Sequence, residues 1–351
     1  MLNTMTEQLR RRENLTEPQV LDAISQLTAE SVSADAKADF LSALAQKGET
    51  TAEIAAFAKN LRELSIQPPL DAETRAREIL DVCGTGGDKL NTFNISTTVA
   101  ILCASGGVTV AKHGNRAITS QSGSADVLET LGIRIDLTPE EAARSLKEHH
   151  FAFFFAPKYH PAFKHIGPAR QLCAERGQRT LFNFLGPLMN PVRPSAQLIG
   201  VPRPQLCEPM ARVLQSLGIR RGMVVTGVVP VPDQPTPAHL DEFSTLGETT
   251  VAEFYQDRGF TTSVLAPGNY PLQPAALADL AGGDKEANAR IVRRLLAGEE
   301  RGPKRDAVLL NAGAALFVAG KVKSITEGWE LAANLIDSGH ASAQLKALSG
   351  K

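Results

Sequence analysis

Two glycine-rich loops, each at the end of a short apolar strand, constrain the fold of this chain more than any other sequence feature. The first strand, predicted at 79–82, opens into GTGGD at 84–88. The second, predicted at 108–111, continues into KHGNR at 112–116, and a small-residue loop, SGSAD, follows at 122–126. Because an apolar helix is predicted between the strands at 96–105, both loops fall at the carboxyl edge of one parallel sheet.

The residue types in these loops indicate what they bind. Glycine lets the backbone approach a ligand closely, and successive N–H groups in such turns attract anions. Hydroxyls of Ser96 and Thr97 suit phosphate oxygens or a hydrated Mg²⁺. Lys112 adds a point charge, and Arg116 adds a planar fork that suits phosphate. The sequence therefore predicts a site for an anionic, oxygen-rich small molecule, although it contains neither a Rossmann fingerprint nor a P-loop motif.

Composition limits the partners of the chain. Its 351 residues include 37 basic and 38 acidic side chains, a net charge of −1, which argues against nucleic-acid or anionic-membrane binding. The four cysteines are widely spaced without a CxxC pair, so they indicate reduced thiols. No signal peptide and no bilayer-length apolar run is visible. We expect a cytoplasmic protein.

The hydrophobic pattern changes near residue 70. Helical spacing predicts helices at about 16–27, 33–48 and 51–61, and a hinge-like Gln67-Pro68-Pro69 follows. Beyond it, strands alternate with helices, which is typical of a parallel α/β sheet. Further strands are predicted at 151–155, 197–201 and 223–228, antiparallel strands at 250–255 and 261–265, and helices at 125–131, 139–149, 163–176, 205–217, 287–297, 307–319 and 325–338.

These elements predict an α/β protein of two domains. A small N-terminal helical domain covers 1–70. A larger α/β domain with a central, mainly parallel sheet covers 75–351 and binds the anionic ligand. The three N-terminal helices carry more apolar surface than a small bundle can hide, so they pack on the rest of the chain or form a homodimer interface.

The motifs, in their order and spacing, resemble the anthranilate phosphoribosyltransferase family. The resemblance rests on GTGGD, NTFNIST (91–97), KHGNR and SGSAD, and it continues through YHPAFKH (159–165), TLFNFLGPL (180–188), LDEFS (240–244) and RDAVLLNA (305–312). It covers nearly the whole chain. It implies the fold shared by nucleoside phosphorylases and these phosphoribosyltransferases, in which part of 160–195 joins the helical domain. It also favours a homodimer.

The resemblance also implies an activity and its residues. The phosphoribosyl group of phosphoribosyl pyrophosphate (PRPP) would pass to anthranilate in tryptophan biosynthesis, with two Mg²⁺ per subunit. Residues that match the family's donor site are Gly84, Gly87, Asp88, Thr92, Asn94, Ile95, Ser96, Thr97, Lys112, Ser120 and Ser124. The acceptor would meet Gly84, Asn115 and Arg170, and the metal would meet Ser96, Asp241 and Glu242. No covalent nucleophile is required, and His113 is a candidate proton acceptor.

Alternative functions stay open at this point. A pyrimidine nucleoside phosphorylase also acts at C1 of a ribose, and a non-catalytic relative could bind nucleic acid instead. Another amine could be the acceptor, because the segment between Arg170 and Thr180 is longer than is usual in the family. Adjacent acids such as Asp241 and Glu242 are, by themselves, more often solvated than metal-binding.

Overall fold

A computed structural model describes residues 2–117, 121–231, 236–256 and 259–350. The chain begins with five helices: α1 (Leu2–Arg10), α2 (Glu17–Thr28), α3 (Ala34–Lys47), α4 (Thr51–Glu63) and α5 (Ala72–Ala76). Capping boxes start two of them, with Thr16 paired to Gln19 and Thr50 paired to Glu53. Helices α2, α3 and α4 confirm the sequence prediction, whereas α1 and α5 were not predicted.

The α/β region is organised around one twisted sheet. Its strands are β1 (Ile79–Gly84), β2 (Thr109–Gly114), β3 (Phe151–Phe155), β4 (Ala196–Gly200), β5 (Arg221–Val229), β6 (Ala238–Leu240), β7 (Thr249–Tyr255) and β8 (Gly259–Leu265). Their order is β3-β2-β1-β4-β5-β7-β8, and β6 pairs with β5. Strands β1 to β5 run parallel, whereas β6, β7 and β8 pair antiparallel, which confirms the mainly parallel sheet.

The helices that follow β1 pack on this sheet, on one another or on the N-terminal helices. They are α6 (Ile95–Ser105), α7 (Ser124–Leu131), α8 (Pro139–His149), α9 (Ala156–Tyr159), α10 (Gly167–Glu175), α11 (Phe182–Leu185), α12 (Cys207–Ser216), α13 (Lys285–Leu296), α14 (Pro303–Val318), α15 (Ile325–Asp337) and α16 (His340–Ser349). The single helix predicted at 163–176 is wrong at its start. A 3₁₀ turn, Pro161–His165, comes first, and α10 begins at Gly167 because Pro168 suits its first turn.

The apolar core lies on the two sides of the sheet. On one side, α6 is buried all round and packs against α14 and α15. On the other side, α1 to α4 share a continuous apolar cluster with residues between Ile166 and Met189. We propose on this basis a helical domain of 1–70 joined by part of 160–195, with the α/β domain at 75–351. No helix among the described residues has the length and apolar character of a membrane span.

Candidate active site

Two paired glycines let an acidic loop lie on the carboxyl edge of the sheet. Gly84 of β1 and Gly200 of β4 are register partners at that edge. A Cβ atom on Gly84 would lie 2.3 Å from Asp241 Oδ2, and one on Gly200 would lie 1.5 Å from the Asp241 carbonyl oxygen. Only glycine therefore permits Asp241 to approach both strand ends.

The Asp241–Glu242 pair accepts hydrogen bonds from the backbone of the first loop and of α6. Gly86 N–H donates to Asp241 Oδ2 at 2.6 Å, and Ser96 N–H donates to Glu242 Oε1 at 3.1 Å. Ser96 lies in the first turn of α6, whose free N–H groups favour an anion. The fold thus brings together the predicted metal-binding residues Ser96, Asp241 and Glu242, which the sequence separates by nearly 150 positions.

Lys112 places its positive charge beneath the same site. Its side chain is only 1% exposed, and Nζ donates to Val82 O at 2.6 Å and to Ser96 Oγ at 3.2 Å. The side chain therefore extends from β2 across the end of β1 to the start of α6. Lys112, Ser96 and the first loop form a cluster of polar residues around the predicted phosphate position.

The two acidic side chains at this edge both have raised pKa values. Burial raises the pKa of Glu242 to about 8, and Lys112 only partly offsets this. Burial, with the charges of Asp88 and Glu242, holds the pKa of Asp241 well above its usual range. The charge of Asp88 raises the pKa of both Asp241 and Glu242, and a bound cation would favour the charged forms of this pair.

The acidic pair can supply part of the coordination shell of a magnesium ion. Among the described residues, no group of three or more His, Cys, Asp and Glu side chains is arranged to hold a metal by itself. Mg²⁺ usually takes one or two carboxylates and fills its remaining positions with water and substrate phosphates. Asp241, Glu242 and the Ser96 hydroxyl match that donor set.

Asn94 joins the two loops. Its Nδ2 donates to Ser122 O at 3.3 Å, and its Oδ1 accepts from Asn288 Nδ2 at 2.9 Å. Asn288 lies buried on α13 and was not predicted from sequence. On the second loop, Ser124 Oγ donates to Asn115 O at 3.4 Å. The predicted donor residues Asn94 and Ser124 therefore face the same edge.

The other predicted donor residues are distributed around the first loop. Gly87 is exposed with φ 88°, and Thr92 forms an isolated β-bridge with Ala281. Asp88 Oδ1 accepts from Leu90 N–H at 3.2 Å. Ile95 and Thr97 are buried in the first turn of α6, and Ile95 belongs to the core, so only its backbone can face a ligand. Ser120 lies outside the described residues.

Arg116, which the sequence predicts to suit phosphate, is exposed and lies beside two acidic side chains. Its guanidinium forms ion pairs with Asp126 at 3.1 Å and with Glu129 at 2.9 Å. Asp126 also accepts N–H bonds from Ala117 and Gly123, so this network fixes the second loop.

A row of rings connects the end of β2 to Arg170 on α10. Ring centroids are 5.1 Å apart for His113 and His160, 5.2 Å for His160 and Phe163, and 5.6 Å for Phe163 and Phe182. The Arg170 guanidinium carbon lies 5.4 Å from the Phe182 centroid, and burial lowers the pKa of Arg170. Asn115, the other predicted acceptor residue, is exposed at the end of β2. The row therefore places aromatic rings beside a positively charged side chain, which suits an aromatic anion.

The two histidines of this row are neutral, and their tautomers follow from their partners. His113 Nδ1 lies 3.1 Å from Gly186 O, and a carbonyl can only accept, so Nδ1 carries the proton. His113 Nε2 then accepts from His160 Nε2–H at 3.2 Å. Burial lowers the pKa of His113 to about 3 and that of His160 to about 4. Both ring nitrogens of His113 are engaged, which argues against its role as a proton acceptor.

Comparison with known proteins agrees with this geometry. Residues 3–65 match the glycosyl transferase family helical bundle domain, and residues 76–342 match its a/b domain. An anthranilate phosphoribosyltransferase from Geobacter sp. (strain M21) is 44% identical over 96% of this chain and 95% of its own. The chain is therefore a member of the glycosyl transferase family, with a helical bundle beside an α/β domain.

Solved structures narrow the assignment. Anthranilate phosphoribosyltransferase from Thermus thermophilus superposes with a TM-score of 0.87 at 40% identity, covering 99% of this chain and 98% of the other. The Saccharomyces cerevisiae enzyme in complex with PRPP and Mg gives 0.85 at 27% identity, covering 99% and 97%. The same yeast enzyme with 4-fluoroanthranilate gives 0.84 at 26% identity, with the same coverage. Within that wider class, this chain belongs to the anthranilate phosphoribosyltransferase family.

Proposed function

We propose that this protein transfers the phosphoribosyl group of PRPP to anthranilate, giving N-(5-phosphoribosyl)anthranilate and pyrophosphate in tryptophan biosynthesis. One observation carries the proposal: the Asp241–Glu242 pair lies against a glycine loop, a helix N-terminus and a buried lysine at one sheet edge. Membership of the family supports the same activity.

The donor binds along the first loop and the start of α6. Backbone N–H groups between Gly84 and Gly87 and the side chains of Ser96 and Lys112 hold the pyrophosphate. The remaining donor contacts come from Asp88, Thr92, Asn94, Ile95, Thr97, Ser120 and Ser124. Lys112 is the cationic side chain of this set, so specificity for PRPP comes from the placement of all these groups around one anion.

Magnesium completes the donor site, and we propose two ions per subunit. Asp241, Glu242 and Ser96 are the residues that hold it. When bound, Mg²⁺ neutralises charge on the leaving pyrophosphate. The yeast relative in complex with PRPP and Mg supports the use of this metal.

The acceptor lies along the row of rings. The Arg170 guanidinium pairs with the anthranilate carboxylate, because a planar fork matches a carboxylate. The rings of His113, His160, Phe163 and Phe182 provide an aromatic wall, and Gly84 and Asn115 border the amine. The yeast relative with 4-fluoroanthranilate supports an aromatic acceptor.

The reaction needs positioning more than it needs acid–base groups. The amine nitrogen of anthranilate forms a bond to C1 while the C1–oxygen bond breaks, and the electron pair leaves with pyrophosphate. An aromatic amine is neutral at pH 7, so its proton can pass to water after attack. Each well-placed donor on the leaving group contributes roughly 3 kcal/mol, and orientation supplies the rest.

We further propose a cytoplasmic homodimer, without nucleic-acid or membrane partners, that forms through the helical bundle. Leu21 of α2 is 54% exposed, and Leu64 and Ile66 at the end of α4 are also exposed. Such side chains favour an interface when they lie on one domain. Sedimentation of the wild type and of Leu21→Glu tests the interface, and a monomeric wild type would exclude it.

Mixing the protein with Mg²⁺, PRPP and anthranilate tests the activity directly. Loss of anthranilate fluorescence, with release of one pyrophosphate per anthranilate, is the expected result. Phosphorolysis of thymidine or uridine, with no loss of anthranilate, would favour a nucleoside phosphorylase instead. Salt-dependent retention on DNA without turnover would favour a non-catalytic relative.

A further inference from the structure

Three consecutive carbonyl groups in the segment 186–190 accept hydrogen bonds from side chains of three different elements. His113 Nδ1 of β2 donates to Gly186 O at 3.1 Å, and Gln197 Nε2 of β4 donates to Pro187 O at 3.0 Å. Arg62 Nε of α4 donates to Leu188 O at 2.5 Å. The segment begins as a 3₁₀ turn, Gly186–Met189, and its shape is therefore set by groups outside it.

Asn190 anchors the far end of this segment. Its Nδ2 donates to Asp81 Oδ2 at 2.9 Å and to Ala111 O at 2.7 Å, and all three residues are buried. Asp81 and Ala111 belong to β1 and β2, the strands that carry the two loops of the active site. The 186–190 segment thus rests on the sheet at one end and on a helical-domain arginine near its middle.

Arg62 of the N-terminal bundle donates the side-chain hydrogen bond that reaches this segment. The side chain is only 4% exposed, and burial lowers the pKa of Arg62 to about 10. A buried guanidinium carries a desolvation cost, which the hydrogen bond to Leu188 O offsets in part. Its bond joins α4 to a segment whose first carbonyl, two residues earlier, orients His113.

We propose that Arg62 is a positioning residue for the acceptor side of the active site. Through Leu188 O it fixes the 186–190 segment, and through Gly186 O that segment fixes the His113 ring and the row of rings leading to Arg170. The inference rests on the proposed function for the identity of the acceptor. It assigns to the helical bundle a part in acceptor binding, with no contact to the reacting atoms.

A matched control lies a few residues further along the chain. Arg75 of α5 donates from Nη1 to Val192 O at 2.6 Å, so it is also an arginine bonded to a carbonyl. Val192 follows the Asn190 anchor, on the side away from Gly186. Loss of Arg75 should therefore affect stability without changing His113.

The experiment compares Arg62→Met with Arg75→Met in the full-length protein. We expect Arg62→Met to raise the KM for anthranilate by about tenfold, since small misplacements near a substrate have large effects, while the KM for PRPP stays within about twofold. Arg75→Met should leave both KM values near wild type. If Arg62→Met does not fold, Arg62→Lys takes its place, because it keeps the charge without the planar fork. Its KM for anthranilate should lie between those of wild type and Arg62→Met.

A second readout does not depend on turnover. Nitrogen-15 NMR of the seven histidines reports which ring nitrogen carries the proton, and wild-type His113 should show the Nδ1–H form. Arg62→Met or Arg62→Lys should shift the His113 signals, whereas Arg75→Met should not. If wild type shows no transfer to anthranilate, the proposed function fails while the NMR comparison still tests Arg62. Equal changes in both KM values, or identical His113 signals in all variants, would overturn the proposal.

Discussion

The side-chain amide of Asn311 pairs with both backbone groups of Phe243. Phe243 N–H donates to Asn311 Oδ1 at 2.9 Å, and Asn311 Nδ2 donates to Phe243 O at 3.1 Å and to Ala307 O at 2.9 Å. Phe243 directly follows Glu242 and is completely buried. Helix α14 therefore holds the acidic pair in place through one amide, which imitates a β-sheet contact.

Asn311→Leu should displace the acidic pair. The variant leaves the buried N–H and C=O of Phe243 without partners, which should lower the free energy of unfolding by about 2 kcal/mol. The Mg²⁺ concentration for half-maximal turnover should rise, and kcat should fall. Urea unfolding and a magnesium titration measure the two effects. Asn334→Leu, at an exposed position of α15, is the control, and equal effects in both variants would contradict this role.

Gly200→Ala should disrupt the approach of Asp241 to the sheet edge. The new Cβ would overlap the Asp241 carbonyl, so the loop must move, at a cost of roughly 1–3 kcal/mol. Turnover should fall well beyond the change in stability, because Asp241 then leaves the donor site. Gly268→Ala, where a Cβ meets nothing within 4 Å, should behave as wild type in melting temperature and kcat. Normal activity in Gly200→Ala would show that Asp241 need not be placed so closely.

Arg170→Ala should affect the acceptor and not the donor. Loss of a carboxylate partner in a half-buried site should raise the KM for anthranilate by about tenfold or more, since hydrogen bonds to charged groups are worth roughly 1.5–3 kcal/mol. Initial rates at varied anthranilate and PRPP separate the two constants. Arg176→Ala, an exposed arginine at the end of the same helix that pairs with Asp39, is the control. A selective rise in the KM for PRPP would exclude the assigned role.

Acid should reduce the contribution of the pair His113 and His160 to the stability of the protein. Their folded pKa values, about 3 and about 4, lie below the ordinary histidine value near 6.5. Below pH 6.5 the unfolded chain therefore binds more protons, and stability falls as pH falls, by up to about 1.4 kcal/mol per pH unit for each histidine.

Urea unfolding at pH 7, 5.5 and 4.5 measures this slope. Asp81, whose pKa is raised to about 6 by burial, changes stability in the opposite direction over the same range. The comparison between wild type and the double variant His113→Gln/His160→Gln removes that contribution, and the double variant should lose less stability on acidification. Parallel curves for the two proteins would refute the assignment.

The sequence predicted the five parallel strands because each contains a short apolar run, and it predicted β7 and β8, but it missed β6, which has only three residues. It could not predict α1, where only Leu2, Met5 and Leu9 mark the buried face of a short helix. It brought the two loops together correctly, since parallel strands end at one edge. The sequence could not predict the geometry of that edge, because this geometry depends on residues that are distant in sequence.

Residues that act through others left no signal in the sequence. Asn288 and Asn311 are buried polar positions inside helices, and only the fold shows which backbone or side chain each one contacts. Gly200 resembles an ordinary strand-end glycine until Asp241 is placed above it. The ion pairs of Arg116 with Asp126 and Glu129 likewise become visible only in the fold. The missing information in each case is a long-range contact.

A crystal of the protein grown with Mg²⁺ and PRPP would test the central claim most directly. We predict the pyrophosphate against the loop from Gly84 to Gly87 with Lys112 and Ser96 beside it, and metal on the side of Asp241 and Glu242. Electron density for the donor at another place, with this edge of the sheet filled only by water, would contradict the account.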